Sequence, residues 1–322
     1  MILFADSGST KTAWLLYDPA TTSRKYFETV GINPIIHHHE EIYQKIFSNT
    51  ELLASAPSVH EIKFFGAGCS SPERNRLAEA ALKSIFTNAT IEIDHDMKAA
   101  AYAICGSEPG IACILGTGSN SIFFDGETLV ESYAGIGYIL GDEASGAYFG
   151  KIILRDFLYH LLPEEIEQHL LKEYKLEKNT IFQLVYKEAS PNRYLASFAP
   201  VLSKFRHTDY AQVVLQQGFT EFFDFHVSCF EHYQDFPIGF VGSIANAFQE
   251  EIKKVADDFE CTLGKFVLNP IDDIANYFIA KENLYITSGH LPYYADSMYP
   301  PMELDGTKDV SEVTKDMINA LS

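Results

Sequence analysis

Two glycine-centred turns, each held between short apolar runs, constrain this chain more than any other feature of it. Asp6-Ser-Gly-Ser-Thr-Lys-Thr12 follows Met1 to Ala5 and leads into Ala13 to Tyr17. Leu115-Gly-Thr-Gly-Ser-Asn-Ser121 follows Ile111 to Leu115 and leads into Ser121 to Asp125, an Asp125-Gly126 hairpin turn and Thr128 to Tyr133. A turn built from Gly, Ser and Thr offers backbone N–H groups and hydroxyls to an anion, and Asp6 beside it can hold a hydrated divalent cation. Two such turns in matching places suit a polyphosphate gripped from both sides. Neither is a Walker A loop, which needs G-x-x-x-x-G-K-[ST] between a strand and a helix. A third turn, Gly239-Phe-Val-Gly-Ser-Ile-Ala-Asn246, joins a strand to a helix and suits close backbone approach to a ligand.

At 322 residues the chain has room for about two domains. The opening strands continue with Lys25 to Thr29 as a meander. A helix over Glu40 to Leu53, a strand at Glu61 to Phe65, a helix over Ser71 to Phe86 and a strand at Ile91 to Asp94 then predict a mixed sheet with crossovers. The Ala-rich Met97 to Cys105 reads as a helix, and Gly106-Ser-Glu-Pro-Gly110 after it marks a domain junction. Residues 143 to about 235 read as mainly helical, with Ile152, Phe157 and Leu161 in phase. Phe219 to Phe230, with Phe222, Phe223, Phe225, His226 and Phe230, reads as a buried helix face. A helix over Asn246 to Phe259 and a strand from Lys265 to Leu268 complete the pattern.

The 24 basic and 44 acidic residues leave a net charge of −20, which repels nucleic acid and anionic membrane surfaces. Five cysteines without C-x-x-C spacing read as reduced, buried thiols. No apolar stretch approaches the roughly 20 residues of a membrane span, and Asp6 comes too early for an export signal, so a cytoplasmic protein is expected. His37-His38-His39 reads as a solvated loop, because three adjacent side chains cannot all face one metal.

The ordered set Asp6 to Thr12, Gly116 to Asn120, Gly137 to Gly146 and Gly239 to Ser243 resembles the phosphate, connecting and adenosine motifs of the sugar kinase, actin and Hsp70 superfamily. Within it the chain is most similar to the N-acetylglucosamine kinase-like members of the BadF/BadG/BcrA/BcrD ATPase family, over residues 1 to 277. The resemblance implies an α/β fold of two ribonuclease H-like, actin-like ATPase domains, each with a mixed five-stranded sheet, around an interdomain cleft. It places the domains at 1–110 and 111–277, the second with a helical insertion, leaving an extension at 278–322.

The resemblance also implies roles. Asp96 matches the catalytic aspartate that takes the proton from a sugar 6-hydroxyl attacking the γ-phosphate of ATP. Ser9, Thr10, Lys11, Thr12, Gly116 and Thr117 match the phosphate contacts, Gly242 and Ser243 the adenosine side, and Asp6 the Mg²⁺ position. Asn33, Gly118, Ser119, Asn120, Gly135, Ile136, Gly137 and Asp142 match the sugar loops, and amides and carboxylates are apt partners for hydroxyl and acetamido groups. Gly66-Ala-Gly-Cys-Ser70 ends a strand near the same cleft. Lys11 reads equally as a phosphate ligand and as a surface charge, and Asp94 as structural. His95 is expected to point away from Asp96, because neighbours in an extended segment face opposite sides.

The expected partner is therefore a small sugar, and a homodimer is compatible with the aromatic content. A partner-activating ATPase and a sensor without turnover remain as alternatives. The dehydratase-activator branch of the wider family is disfavoured, since Cys105-Gly106 is the sole trace of its cluster motif. Thr287 to Met302 instead resembles a fragment of threonyl-tRNA synthetase catalytic domains, too short to support aminoacylation. Coincidence, a fused or misjoined C-terminus and a docked extension all fit it. Val310, Val313, Met317, Ile318 and Leu321 have roughly helical spacing.

Overall fold

The computed structural model describes residues 1–8, 10–131, 135–187 and 190–288. It is an α/β protein with two mixed five-stranded sheets. The first contains β1 (Ile2–Ser7), β2 (Lys11–Asp18), β3 (Ser23–Val30), β4 (Glu61–Gly66) and β5 (Thr90–His95), in the order β3-β2-β1-β4-β5. The second contains β6 (Gly110–Leu115), β7 (Ser119–Phe124), β8 (Leu129–Glu131), β9 (Ile238–Val241) and β10 (Leu263–Val267), in the order β10-β9-β6-β7-β8. Read from the other edge, the second order repeats the first. In each, an antiparallel meander of three strands is joined by two strands added in parallel on the far side.

The central strands are apolar on both faces, as strands covered on both sides must be: Ile2, Leu3, Phe4 and Ala5 in β1, and Ile111, Ala112 and Cys113 in β6, are buried. Trp14 closes the outer core of the first sheet, its ring 5.9 Å from Phe64 and its indole N–H donating to Thr29 Oγ1 at 2.9 Å.

Helices α1 (His39–Phe47), α2 (Thr50–Ser55) and α3 (Pro72–Ile85) serve the first sheet, and α4 (Asp96–Cys105) follows β5. The single helix expected over Glu40 to Leu53 is two, because Asn49 caps α2 by accepting from Leu52 N–H at 3.0 Å. Ser71 caps α3, with Pro72 in its first turn.

The alanines of α4 allow it to lie close to strands of both sheets. Ala99 and Ala103 join Ile2, Phe4 and Phe65, while Ala100, Ala101 and Ile104 join Ala112, Ile122, Phe124 and Val241. Gly239 on β9 permits the same approach, since a Cβ there would lie 2.2 Å from Ile104 Cγ2.

The helical stretch contains α5 (Gly146–Leu158), α6 (Glu164–His169), α7 (Lys178–Tyr186), α8 (Pro191–Ala196), α9 (Ala199–Lys204) and α10 (Asp209–Phe222). Leu161, expected in phase with Phe157, is exposed, because α5 has ended and His160 takes a left-handed conformation (φ 55°). Phe225 is exposed too. Beyond α10 the chain widens into a π turn over Phe223–Val227, which keeps Phe222, Phe223 and His226 inside and turns Phe225 out.

The helix expected over Asn246 to Phe259 is likewise two, α11 (Ser243–Ala247) and α12 (Gln249–Asp258), separated at Phe248. α13 (Ile271–Ser288) opens against the first sheet, with Phe278 packed on Phe4 and Phe65 and Arg24 bonded to Asp272 at 2.7 Å. The chain divides into two compact units, Met1–Ile279 and Ala280–Ser322. Ser9, Tyr133 and everything from residue 289, including most of the ligase-like stretch and the apolar spacing after it, lie outside the described residues. All five cysteines are free; Cys69 and Cys113 are buried as expected, but Cys229, just past the π turn, is exposed.

Candidate active site

The β1–β2 ladder ends at the pair Ser7 and Thr12, whose buried hydroxyls lie 2.7 Å apart. Gly8 N–H donates to Lys11 O at 3.0 Å and closes the turn. Ser7 Oγ also donates to Ile32 O at 3.0 Å, and Gly31 N–H donates to Thr10 O at 3.0 Å. The segment carrying Asn33 is thereby bound to the turn. Asn33 Oδ1 accepts from Ile35 N–H at 2.9 Å and lies against Gly68, whose φ of 83° and missing Cβ admit it. The Gly66 to Ser70 loop thus lies beside Asn33.

In the second sheet the β6–β7 turn is shorter than expected, because Ser119 and Asn120 already belong to β7. Gly116 O and Thr117 O accept from Gly146 N–H and Ala147 N–H at 2.8 and 3.0 Å, which attaches this turn to the start of α5. Gly242, at φ 123°, lies against the same turn, and a Cβ there would meet Leu115 O at 2.3 Å. The two turns meet each other as well: Thr10 Oγ1 and Thr117 Oγ1 are 3.3 Å apart across 107 residues of sequence.

Asp6 lies at the end of β1, just before the first turn, and Asp96 is near enough for its charge to act on it. Asp96 does not continue the extended segment, as expected, but is the first residue of α4, its Oδ1 accepting from Met97 N–H at 3.0 Å. The imidazole of His95 lies 3.6 Å from Asp94 Oδ1, on its own side of the junction between β5 and α4. Burial raises the carboxyl pKa of Asp96. Burial and the charge of Asp96 together push Asp6 up to about 7, against a smaller lowering by Lys11. Asp94 pairs with Lys98 one helical turn on and is engaged there.

No group of three or more metal-ligating His, Cys, Asp or Glu side chains exists among the described residues. Two mutually repelling carboxylates beside a hydroxyl-rich turn nonetheless fit Mg²⁺, which takes one or two carboxylates and fills its remaining positions with water and phosphate oxygens.

An acid held up at about 7 in the fold, against an ordinary 3.8, binds its proton more tightly when folded. Stability from Asp6 is therefore full below about pH 4 and is lost as pH rises through 7. The ligand-free protein should lose on the order of 2 kcal/mol from this site between pH 5 and 8, after allowance for partial exposure. Melting curves across that range, flattened in Asp6→Asn or by millimolar Mg²⁺, are the check; an equal slope in Asp6→Asn would contradict it.

Lys11 forms an exposed ion pair with Glu28 at 3.3 Å. Such pairs contribute about 0–1 kcal/mol. Lys11→Ala is accordingly expected to change nucleotide KM and turnover less than about threefold, and a tenfold loss would return it to the phosphates.

A second group of sequence candidates gathers around the start of β7. A Cβ on Gly118 would meet Asp142 Oδ2 at 2.7 Å, and one on Gly135 would meet Asn120 Nδ2 at 2.9 Å. The Ser119 N–H bonds the Asp142 carboxyl, yet burial dominates and raises it to about 6. Gly137 O accepts from Leu140 and Gly141 N–H, folding back a loop on which Ile136 is exposed. Gly118, Ser119, Asn120, Gly135 and Asp142 are thus brought together. Glu143 and His226, bonded at 2.9 Å in the same region, went unrecognised from sequence.

The duplicated sheet order and the facing turns define an actin-like ATPase fold. No family model matches the chain. A solved structure from Porphyromonas gingivalis, with a provisional assignment as an N-acetylglucosamine kinase, is 36% identical with a TM-score of 0.82, covering 88% of this chain and all of that one. A second, from Chromobacterium violaceum with the same provisional assignment, shares the fold at 17% identity and a TM-score of 0.69 over 86% of this chain and 98% of that one. The chain belongs to the sugar kinases of the actin-like ATPase fold.

Short stretches match threonine–tRNA ligases: 42% identity over 55 residues with that of Nocardioides sp., and 70% over 27 residues with that of Mycolicibacterium gilvum. These stretches span 8% and 4% of the ligases' lengths.

Proposed function

We propose that this sugar kinase transfers the γ-phosphate of ATP to the 6-hydroxyl of N-acetylglucosamine or a related amino sugar, with Asp96 as general base. The observation that carries the reading is the contact of Thr10 and Thr117, which sets two phosphate-type turns from different sheets hydroxyl to hydroxyl beside a half-buried carboxylate pair. The similarity to the Porphyromonas gingivalis protein favours N-acetylglucosamine among hexoses.

Phosphoryl transfer depends on positioning and charge neutralisation more than on covalent chemistry. Ser9, Thr10, Gly116 and Thr117 hold the phosphates, while Thr12, its hydroxyl engaged by Ser7, shapes the turn. Gly242 and Ser243 leave room on the nucleoside side. Asp6 would hold Mg²⁺, which would supply neutralisation of the phosphate charge. Asn33, Gly118, Ser119, Asn120, Gly135, Ile136, Gly137 and Asp142 orient the sugar, so that Asp96 accepts the 6-hydroxyl proton as the oxygen attacks phosphorus. Relative movement of segments 1–110 and 111–277 would close the site against water. No helix among the described residues is long and apolar enough to cross a membrane.

The test is ADP release with ATP and Mg²⁺ against hexoses, amino sugars and N-acetyl amino sugars, with the phosphorylated product identified. Stimulation by N-acetylglucosamine is expected. Hydrolysis indifferent to every sugar would favour a partner-activating ATPase, and sugar binding without turnover a sensor.

A further inference from the structure

His226 is 1% exposed, and its ring stacks on Phe222 at 4.5 Å and 10°. Its Nε2 lies 2.9 Å from Glu143 Oε2, and its Nδ1 is a buried polar atom with no hydrogen-bond partner among the described residues. A buried acceptor left over is tolerated better than a buried N–H left over. The proton therefore resides on Nε2 and is donated to Glu143, with the Nδ1 lone pair facing the interior.

The backbone around Glu143 explains what that bond does. Asp142 and Ala144, on either side, both take left-handed conformations, φ 57° and 56°, which non-glycine residues hold only under constraint. Glu143 supplies the constraint at two points. Its carbonyl accepts from Ser119 Oγ at 2.7 Å and its carboxylate accepts from His226. Ser121, two residues further along β7, donates from Oγ to His226 O at 2.6 Å, so one strand fixes both the loop and the π turn that carries the histidine.

We infer that His226 is a positioning residue for sugar binding: through Glu143 it holds the 141–146 loop in the strained form that presents Asp142 to the acceptor sugar. This rests on the kinase reading and names a determinant of its sugar affinity.

His226→Phe keeps the volume and the stacking but removes the donor, whereas His226→Gln offers an amide N–H near the Nε2 position. The Phe variant is expected to raise KM for N-acetylglucosamine at least about tenfold, with KM for ATP within twofold of wild type. The Gln variant should return sugar KM to within about threefold, and hydrogen exchange of amides 141–146 should quicken only in the Phe variant. Should the Phe variant fail to fold, Glu143→Ala removes the same bond from its more exposed end and should give the same split. Wild-type sugar KM in the variant lacking the bond, or equal losses with Phe and Gln, overturns the inference. A wild-type chain deaf to every sugar fails the kinase reading itself, before any variant is compared.

Discussion

Asp96→Asn lowers sugar-dependent phosphate transfer on the order of a thousandfold and leaves ATP binding within about threefold. A positioned general base contributes about 10²–10⁴ in rate, and an amide of the same shape cannot take the proton. The rest of the site is kept, since the Met97 N–H can still bond the amide oxygen. Removing the charge of Asp96 also removes the repulsion that helps raise Asp6, so the variant should melt no lower than wild type. That pairing of lost chemistry with intact stability separates a chemical role from a folding role. Single-turnover measurements with ATP and sugar are the check; turnover within tenfold of wild type would remove Asp96 from the chemistry.

Gly150→Ala has the largest expected effect on stability. Gly150 faces α8 from within α5, and a Cβ there would lie 1.8 Å from the Leu195 carbonyl oxygen and 2.5 Å from its carbon. Backbone atoms cannot rotate aside as a side-chain tip can. The helices must part, and the surrounding core of Phe149, Ile153, Leu154, Leu195 and Phe198 must loosen with them. A loss of at least about 3 kcal/mol, read as a melting point lower by roughly 10 °C or as insoluble protein, is expected. Gly116→Ala is the control: its Cβ would meet nothing within 4 Å, so stability should hold. Equal melting of both variants would refute the packing argument.

The strands were legible because runs such as Ile2 to Ala5 and Ile111 to Cys113 are apolar without interruption and stop at polar turns. Helix breaks were not. Asn49 and Phe248 stand inside otherwise periodic stretches, and whether such a residue caps a new helix depends on local bonds that periodicity does not record. Phe225 and Leu161 were misplaced for a related reason: a widened turn and a left-handed His160 each shift the phase of the residues beyond them. At the site, each glycine turn was readable from its composition. That they face each other was expected from their matching places, but the direct hydroxyl contact of Thr10 with Thr117 was not, because two sheets rather than neighbouring residues bring it about. A separation of 83 residues likewise concealed the pairing of Glu143, inside a glycine motif, with His226, inside an aromatic face.

The alanine faces of α4 bear on how the molecule comes apart. Because this one helix supplies core residues to both sheets, neither sheet can lose its order and leave the other's interior whole. Residues 1–279 should therefore denature as a single cooperative block, with calorimetric and van't Hoff enthalpies in agreement, despite an architecture assembled from two copies of one plan.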